Sequence, residues 1–235
     1  MCLIKQNIEQ IRKLLPSDIT LIAVSKTKPT DDIMQAYQVG HRIFGENKAQ
    51  EMKVKQAILP KDIEWHFIGH LQDNKVKYIA EYVTMIHSVD SLKLLSSINK
   101  YAIKYSRTID CLFEINISNE DSKFGLSEDE VEQILQSEEY KSLANIRICG
   151  VMGIGSITDD REQTRKEFKN LKNIFDNLKQ QYFIDKDYFK EISMGMTGDW
   201  DIAVEEGATM VRIGSKIFGK RNVSKIIANV ILDSI

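Results

Sequence analysis

Eight short apolar runs, each followed by a stretch with helical periodicity, set the fold of this 235-residue chain. The runs fall at 19–25, 41–44, 63–68, 83–87, 109–117, 146–152, 190–194 and 208–213. Most are apolar throughout rather than alternating, as in strands with both sheet faces buried. Between them, helices are predicted over 31–39, from about Asn47, over 71–82, and from a cap within Ser88–Ser91 to about 104. Others open at the capping-box pair Ser127 and Glu130, span 159–181 and 199–206, and start near 215, with a last one over 222–234. Crossovers this short favour right-handed βαβ units and a parallel sheet. Eight in succession, with three prolines and no linker, predict one α/β domain over 1–235. That domain is a (β/α)8 TIM-like barrel with an extra N-terminal helix. A doubly wound open sheet is the alternative, because pattern alone does not reveal sheet closure.

Composition narrows the function classes. The chain is 43% hydrophobic and 28% charged, enough for a sizeable core. A formal net charge of −2 provides no global basic field for nucleic acid or an anionic membrane. Lys216, Lys220, Arg221 and Lys225 read as a solvated helix face. Cys2, Cys111 and Cys149 are odd in number and widely spaced, without a disulfide framework or zinc spacing. The N-terminus has no unbroken apolar stretch for a signal peptide, and nothing downstream reaches membrane-spanning length, so a cytoplasmic location is expected.

In a parallel barrel, functional groups gather where strands end, and phosphate tends to bind after strands seven and eight. Three places meet that rule. Lys26 closes the first apolar run, where partial desolvation favours the free amine that Schiff-base chemistry needs. Lys28 adds like-charge repulsion. The alternative for Lys26 is an ordinary lysine snorkelling at the barrel rim. Arg212-Ile213-Gly214-Ser215 joins the eighth run to a helix, where Gly214 admits a close backbone approach and the first amides can cradle an anion. Arg212 either points its guanidinium to the strand ends or makes a salt bridge. Ser193 to Asp199 leaves the seventh run with hydroxyls at Ser193 and Thr197 that can complete a phosphate cup, or with Thr197 or Asp199 as a helix cap.

Five motifs resemble the YggS/PROSC family of pyridoxal 5′-phosphate (PLP) homeostasis proteins, whose barrel is similar to the N-terminal barrel of alanine racemase. They are Ala23 to Pro29 (AVSKTKP), Phe44 to Asn47 (FGEN), Trp65 to Lys75 (WHFIGHLQDNK), Ser193 to Asp199 (SMGMTGD) and Val211 to Gly219 (VRIGSKIFG). The resemblance runs from about residue 5 to 233. It implies PLP held as an internal aldimine on Lys26, with phosphate at Ser193 or Thr197 and at Gly214 and Ser215. It also implies Arg212 beside the pyridine nitrogen, and Asn47 and His66 lining the pocket. A hydrogen-bonded core histidine is the alternative for His66. The family more often has serine at 197 and threonine at 215, and both exchanges keep a hydroxyl.

Two functions follow from the resemblance. One is a non-enzymatic carrier that holds PLP and passes it to PLP-dependent apoenzymes. The other is an amino-acid racemase. An arginine at the pyridine nitrogen disfavours ring protonation and weakens the electron sink, though alanine racemases share the feature. The carrier is favoured because alanine racemases add a further domain with a catalytic tyrosine, whereas here only helix, the last of it over 222–234, is expected after strand eight. The eight tyrosines mostly fall on predicted helices. No catalytic residue and no metal site is assigned.

Overall fold

The computed structural model describes residues 3–118 and 124–219. Helix α1 (Leu3–Leu14) buries Ile4, Ile8 and Ile11, one stripe at helical spacing, and ends on Arg12 and Lys13, which suit the negative end of its dipole. Strand β1 (Thr20–Val24) and helix α2 (Thr30–Gln38) follow, then β2 (Ile43–Glu46) with α3 (Ala49–Ile58), and β3 (Glu64–Phe67). A 3-10 segment, Asp73–Tyr78, leads to β4 (Met85–Val89) and α4 (Leu92–Lys104). Next come β5 (Ile109–Ile115), α5 (Glu128–Gln136), the short α6 (Glu138–Lys141), β6 (Ile146–Gly153) and α7 (Arg161–Tyr182). The chain then forms β7 (Glu191–Ser193), α8 (Trp200–Glu205), β8 (Met210–Ile213) and α9 (Ser215–Phe218). The predicted caps form at Ser91, which accepts from the Leu94 amide, and at Ser127, where both halves of the capping box are present.

The eight strands pair in parallel in sequence order, and β8 pairs β1 to close the barrel. Closure removes the open doubly wound sheet as an alternative. The segment expected as a helix over 71–82 is instead the six-residue 3-10 turn. The predicted helix over 222–234, the cations Lys220, Arg221 and Lys225, and Cys2 lie outside the described residues. Cys111 and Cys149 are buried free thiols, and Lys216 is exposed. Among the described residues no helix is long and apolar enough to cross a membrane. No group of three or more His, Cys, Asp or Glu among them could hold a metal.

The barrel interior is layered. Ile22, Met85, Leu112, Cys149, Met152 and Met210 form an apolar plug. Two residues further along the same strand faces, toward the C-terminal ends, polar groups replace it, with His87 after Met85 and Arg212 after Met210. A larger apolar cluster fills the space between barrel and helices. Strand β6 shifts register against β5 at Gly150, whose φ is 154°. A Cβ there would lie 1.8 Å from the Glu191 carbonyl oxygen of β7, so only glycine fits.

Candidate functional site

A cavity of about 400 Å³ opens at the C-terminal strand ends, between the loops after β1, β2, β7 and β8. Its size lies within the roughly 300–1,000 Å³ usual for small-molecule sites. Lys26 enters it from the end of β1, half-buried, with Lys28 two residues on. Asn47 follows β2, Thr197 and Gly198 come from the loop after β7, and Arg212, Gly214 and Ser215 come from β8 and the start of α9. Val24, Ile68, Ile154 and Met196 supply apolar wall.

Six of the eight positions singled out from sequence therefore share one cavity: Lys26, Asn47, Thr197, Arg212, Gly214 and Ser215. His66 and Ser193 do not line it. Both are buried and form a hydrogen-bonded chain that ends on Arg212. Arg212 Nη1 donates to Ser193 Oγ at 2.7 Å, Ser193 Oγ meets His87 Nδ1 at 2.9 Å, and His87 Nε2 meets His66 Nδ1 at 2.9 Å. His66 is buried and hydrogen-bonded to His87 behind the cavity. Ser193 Oγ accepts from Arg212, and Thr197 is a hydroxyl on the cavity wall. His87 was not singled out from sequence, because a histidine ending an apolar run carries no sign of its partners.

Arg212 lies on the cavity wall at the strand ends, the first of its two expected placements, and its guanidinium is hydrogen-bonded there. Nη2 donates to the Gly153 carbonyl at 2.9 Å, so the hydroxyl and the carbonyl that hold the guanidinium are both neutral. Burial pushes its pKa down to about 10, and the guanidinium stays charged at neutral pH. A buried cation held by neutral groups on a cavity wall is suited to an acceptor or an anion. Thr197 Oγ1 accepts the Gly214 amide at 3.4 Å and ties the loop after β7 to the start of α9. Thr197 is not a cap. Asp199 occupies the N-cap of α8 without a side-chain cap bond, and accepts the Met196 amide instead.

Burial holds the two inner histidines neutral. His66 is lowered to about 4 by burial, and His87 is lowered well below its usual value by burial, by His66 and by the charge on Arg212. In the unfolded chain both would take up protons near 6.5. Their contribution to stability is therefore complete above about pH 6.5 and is lost as pH falls toward 4. Glu114, raised to about 7 chiefly by burial, acts in the opposite sense between about 4.5 and 7; burial raises Glu46 as well, against the pull of Lys55 on its carboxylate. The expected result is that the His66 and His87 ring-proton resonances stay unmoved from pH 8 to 5. Titration of either ring near 6.5 would show that this chain is solvated.

The donor set fits PLP. Lys26 offers an amine, Arg212 a fixed donor, and Thr197 and Ser215 hydroxyls beside the Gly214 backbone. Asn47 Oδ1 is buried with no hydrogen-bond partner among the described residues, an unmet acceptor on a cavity-lining residue.

Comparison with known proteins agrees with this geometry. Residues 3–222 match the alanine racemase N-terminal domain family. The pyridoxal phosphate homeostasis protein of Pasteurella multocida is 40% identical over 228 residues, covering 94% of this chain and 96% of that one. Its counterpart in Aquifex aeolicus is 38% identical over 86% of each chain. PipY of Synechococcus elongatus, solved with PLP bound, superposes with a TM-score of 0.81 at 34% identity, covering 92% of this chain and all of PipY. Alanine racemase of Clostridium difficile shares the fold at 19% identity and a TM-score of 0.71, and this chain covers 56% of it. A closed parallel barrel with a lysine and an arginine on one strand-end cavity, matched at this identity over most of its length, places the chain in the pyridoxal phosphate homeostasis protein family.

Proposed function

We propose that this chain binds PLP in the Lys26 cavity and serves PLP homeostasis as a carrier, without substantial turnover of its own. One observation carries the reading: an amine, a buried guanidinium and a hydroxyl-and-backbone cradle converge on a single cavity from β1, β7 and β8. When bound, PLP supplies an aldehyde carbon open to an amine and a pyridine ring able to withdraw electrons. Lys26 would hold the aldehyde carbon covalently. Thr197, Gly214 and Ser215 would hold the phosphate. Arg212, which only donates, would keep the ring nitrogen unprotonated and the electron sink weak. That suits storage and hand-over to PLP-dependent apoenzymes better than carbanion chemistry.

A PLP titration of variants tests the cradle. A Cβ at Gly214 would lie 3.2 Å from the Val24 carbonyl oxygen and 3.3 Å from Val24 Cβ, so a larger side chain presses on β1 as well as on the cavity. Gly214→Val is expected to weaken PLP binding by roughly tenfold or more, about the 1–3 kcal/mol usual for overpacking. Ser215→Ala, which keeps its amide, is expected to cost less. Equal and negligible losses would place the phosphate elsewhere.

A further inference from the structure

The sequence singles out Lys26, and the structure shows what grips the backbone around it. Residues 25–28 form a turn in which the Lys28 amide donates to the Ser25 carbonyl at 3.0 Å. Within it Thr27 has a φ of 64°, a left-handed conformation that a β-branched residue adopts only when its surroundings impose it. The imposing groups lie on β2 and α3. Lys55, 5% exposed, spends all three ammonium hydrogens on the turn and its supports. It donates to the Ser25 carbonyl at 2.8 Å, to Glu46 Oε1 at 2.7 Å and to Glu51 Oε1 at 2.7 Å. Ser25 Oγ donates to the same Glu46 oxygen at 2.6 Å. The Thr27 amide donates to the same Glu51 oxygen at 2.6 Å.

Both neighbours of Lys26 are thus anchored, through one buried cation, to two carboxylates. Charge-assisted bonds of this kind are roughly twice as strong as neutral ones. A buried ion pair is weak grounds for stability, since desolvation offsets much of its attraction. Its residues must therefore be explained by what they hold in place.

We infer that Lys55, Glu46 and Glu51 are positioning residues for Lys26: they lock the left-handed turn so that the Lys26 amine, and not that of Lys28, meets the PLP aldehyde carbon. This rests on the PLP-binding reading above. The two lysines are separated by one residue and line one cavity, so the backbone path between them decides which amine reaches the carbon.

The test uses the full chain, stripped of cofactor and given free PLP. Covalent attachment is followed by absorbance, then fixed with borohydride, and the label is divided between Lys26 and Lys28 by peptide mass spectrometry. In the parent chain the label is expected on Lys26. Glu51 lies near the surface, so Glu51→Ala removes the Thr27 anchor with little loss of core. It is expected to slow attachment roughly tenfold, inside the ~100-fold that an ångström of misplacement can cost, and to move part of the label to Lys28. Glu51→Gln keeps the Oε1 acceptor and is expected to restore both rate and site. A purely structural role would lower the melting temperature without changing the division of label. If Glu51→Ala does not fold, Ser25→Ala, which removes one hydroxyl from the same network, is read the same way. Unchanged rate and site in the variant that folds would overturn the inference, as would a Gln variant that behaves like Ala. A parent chain that takes no label on Lys26 would instead overturn the PLP-binding reading.

Discussion

Lys26→Ala is expected to abolish the yellow absorbance band of the purified protein and reduce borohydride-fixed label to background. Only an amine can hold an aldehyde carbon covalently, and two amines line the cavity. Lys28 is committed elsewhere: Nζ donates to the Phe218 carbonyl at 2.9 Å and to the Gly219 carbonyl at 3.0 Å, closing the end of α9 onto the turn. Lys26 is half-buried at a rim, so truncation to alanine leaves the core whole and the fold intact. Some PLP should remain bound without a covalent link, because Thr197, Gly214 and Ser215 are a separate attachment. It would be lost on desalting. Peptide mapping that placed the parent adduct on Lys28, or found none, would sink the assignment.

What the sequence made legible follows from which interactions are local. The barrel was readable because each strand is a short apolar run and each helix carries its own caps, as at Ser91 and Ser127. Boundaries slipped where a polar residue sits inside the barrel. The second strand was expected over 41–44 and is Ile43–Glu46, because Glu46 looks like the end of a strand until its partners Ser25 and Lys55 are seen. The third helix failed because Leu71, Val76, Ile79, Ala80 and Val83 are buried at helix-like spacing while the backbone tightens to a 3-10 turn. At the site, Lys26, Thr197, Arg212 and Gly214 were visible because they stand where strands end. The grip on Lys26 was not, because Glu51 and Lys55 at i and i+4 look like a solvated helix pair. Only tertiary packing buries Lys55. The same holds for His66 and Ser193, whose partners lie 21 and 19 residues away or more.

L-alanine and other L-amino acids are expected to yield no meaningful D-isomer with this protein. Racemisation removes a proton from one face of the bound amino acid and returns it on the other, so it needs two positioned acid–base groups. Among the described residues, the titratable side chains on the cavity wall are Lys26, Lys28 and Arg212. Arg212, with a pKa of about 10, stays protonated at neutral pH and cannot accept a proton there. Lys28 is an ammonium spent on two carbonyls. Tyr82 and Tyr140, both pushed up by burial, stand off the cavity wall, and His66 is tied to His87 beneath it. Lys26 alone remains, and one base returns the proton to the face it left. Losing a positioned partner costs about 10²–10⁴-fold, so any D-isomer should form at least about 100-fold more slowly than in a two-base racemase. Chiral chromatography after long incubation at high protein concentration makes the measurement. Sustained turnover that disappears in Lys26→Ala would overturn the carrier reading. The second base would then be sought at Lys28, the remaining amine on the wall.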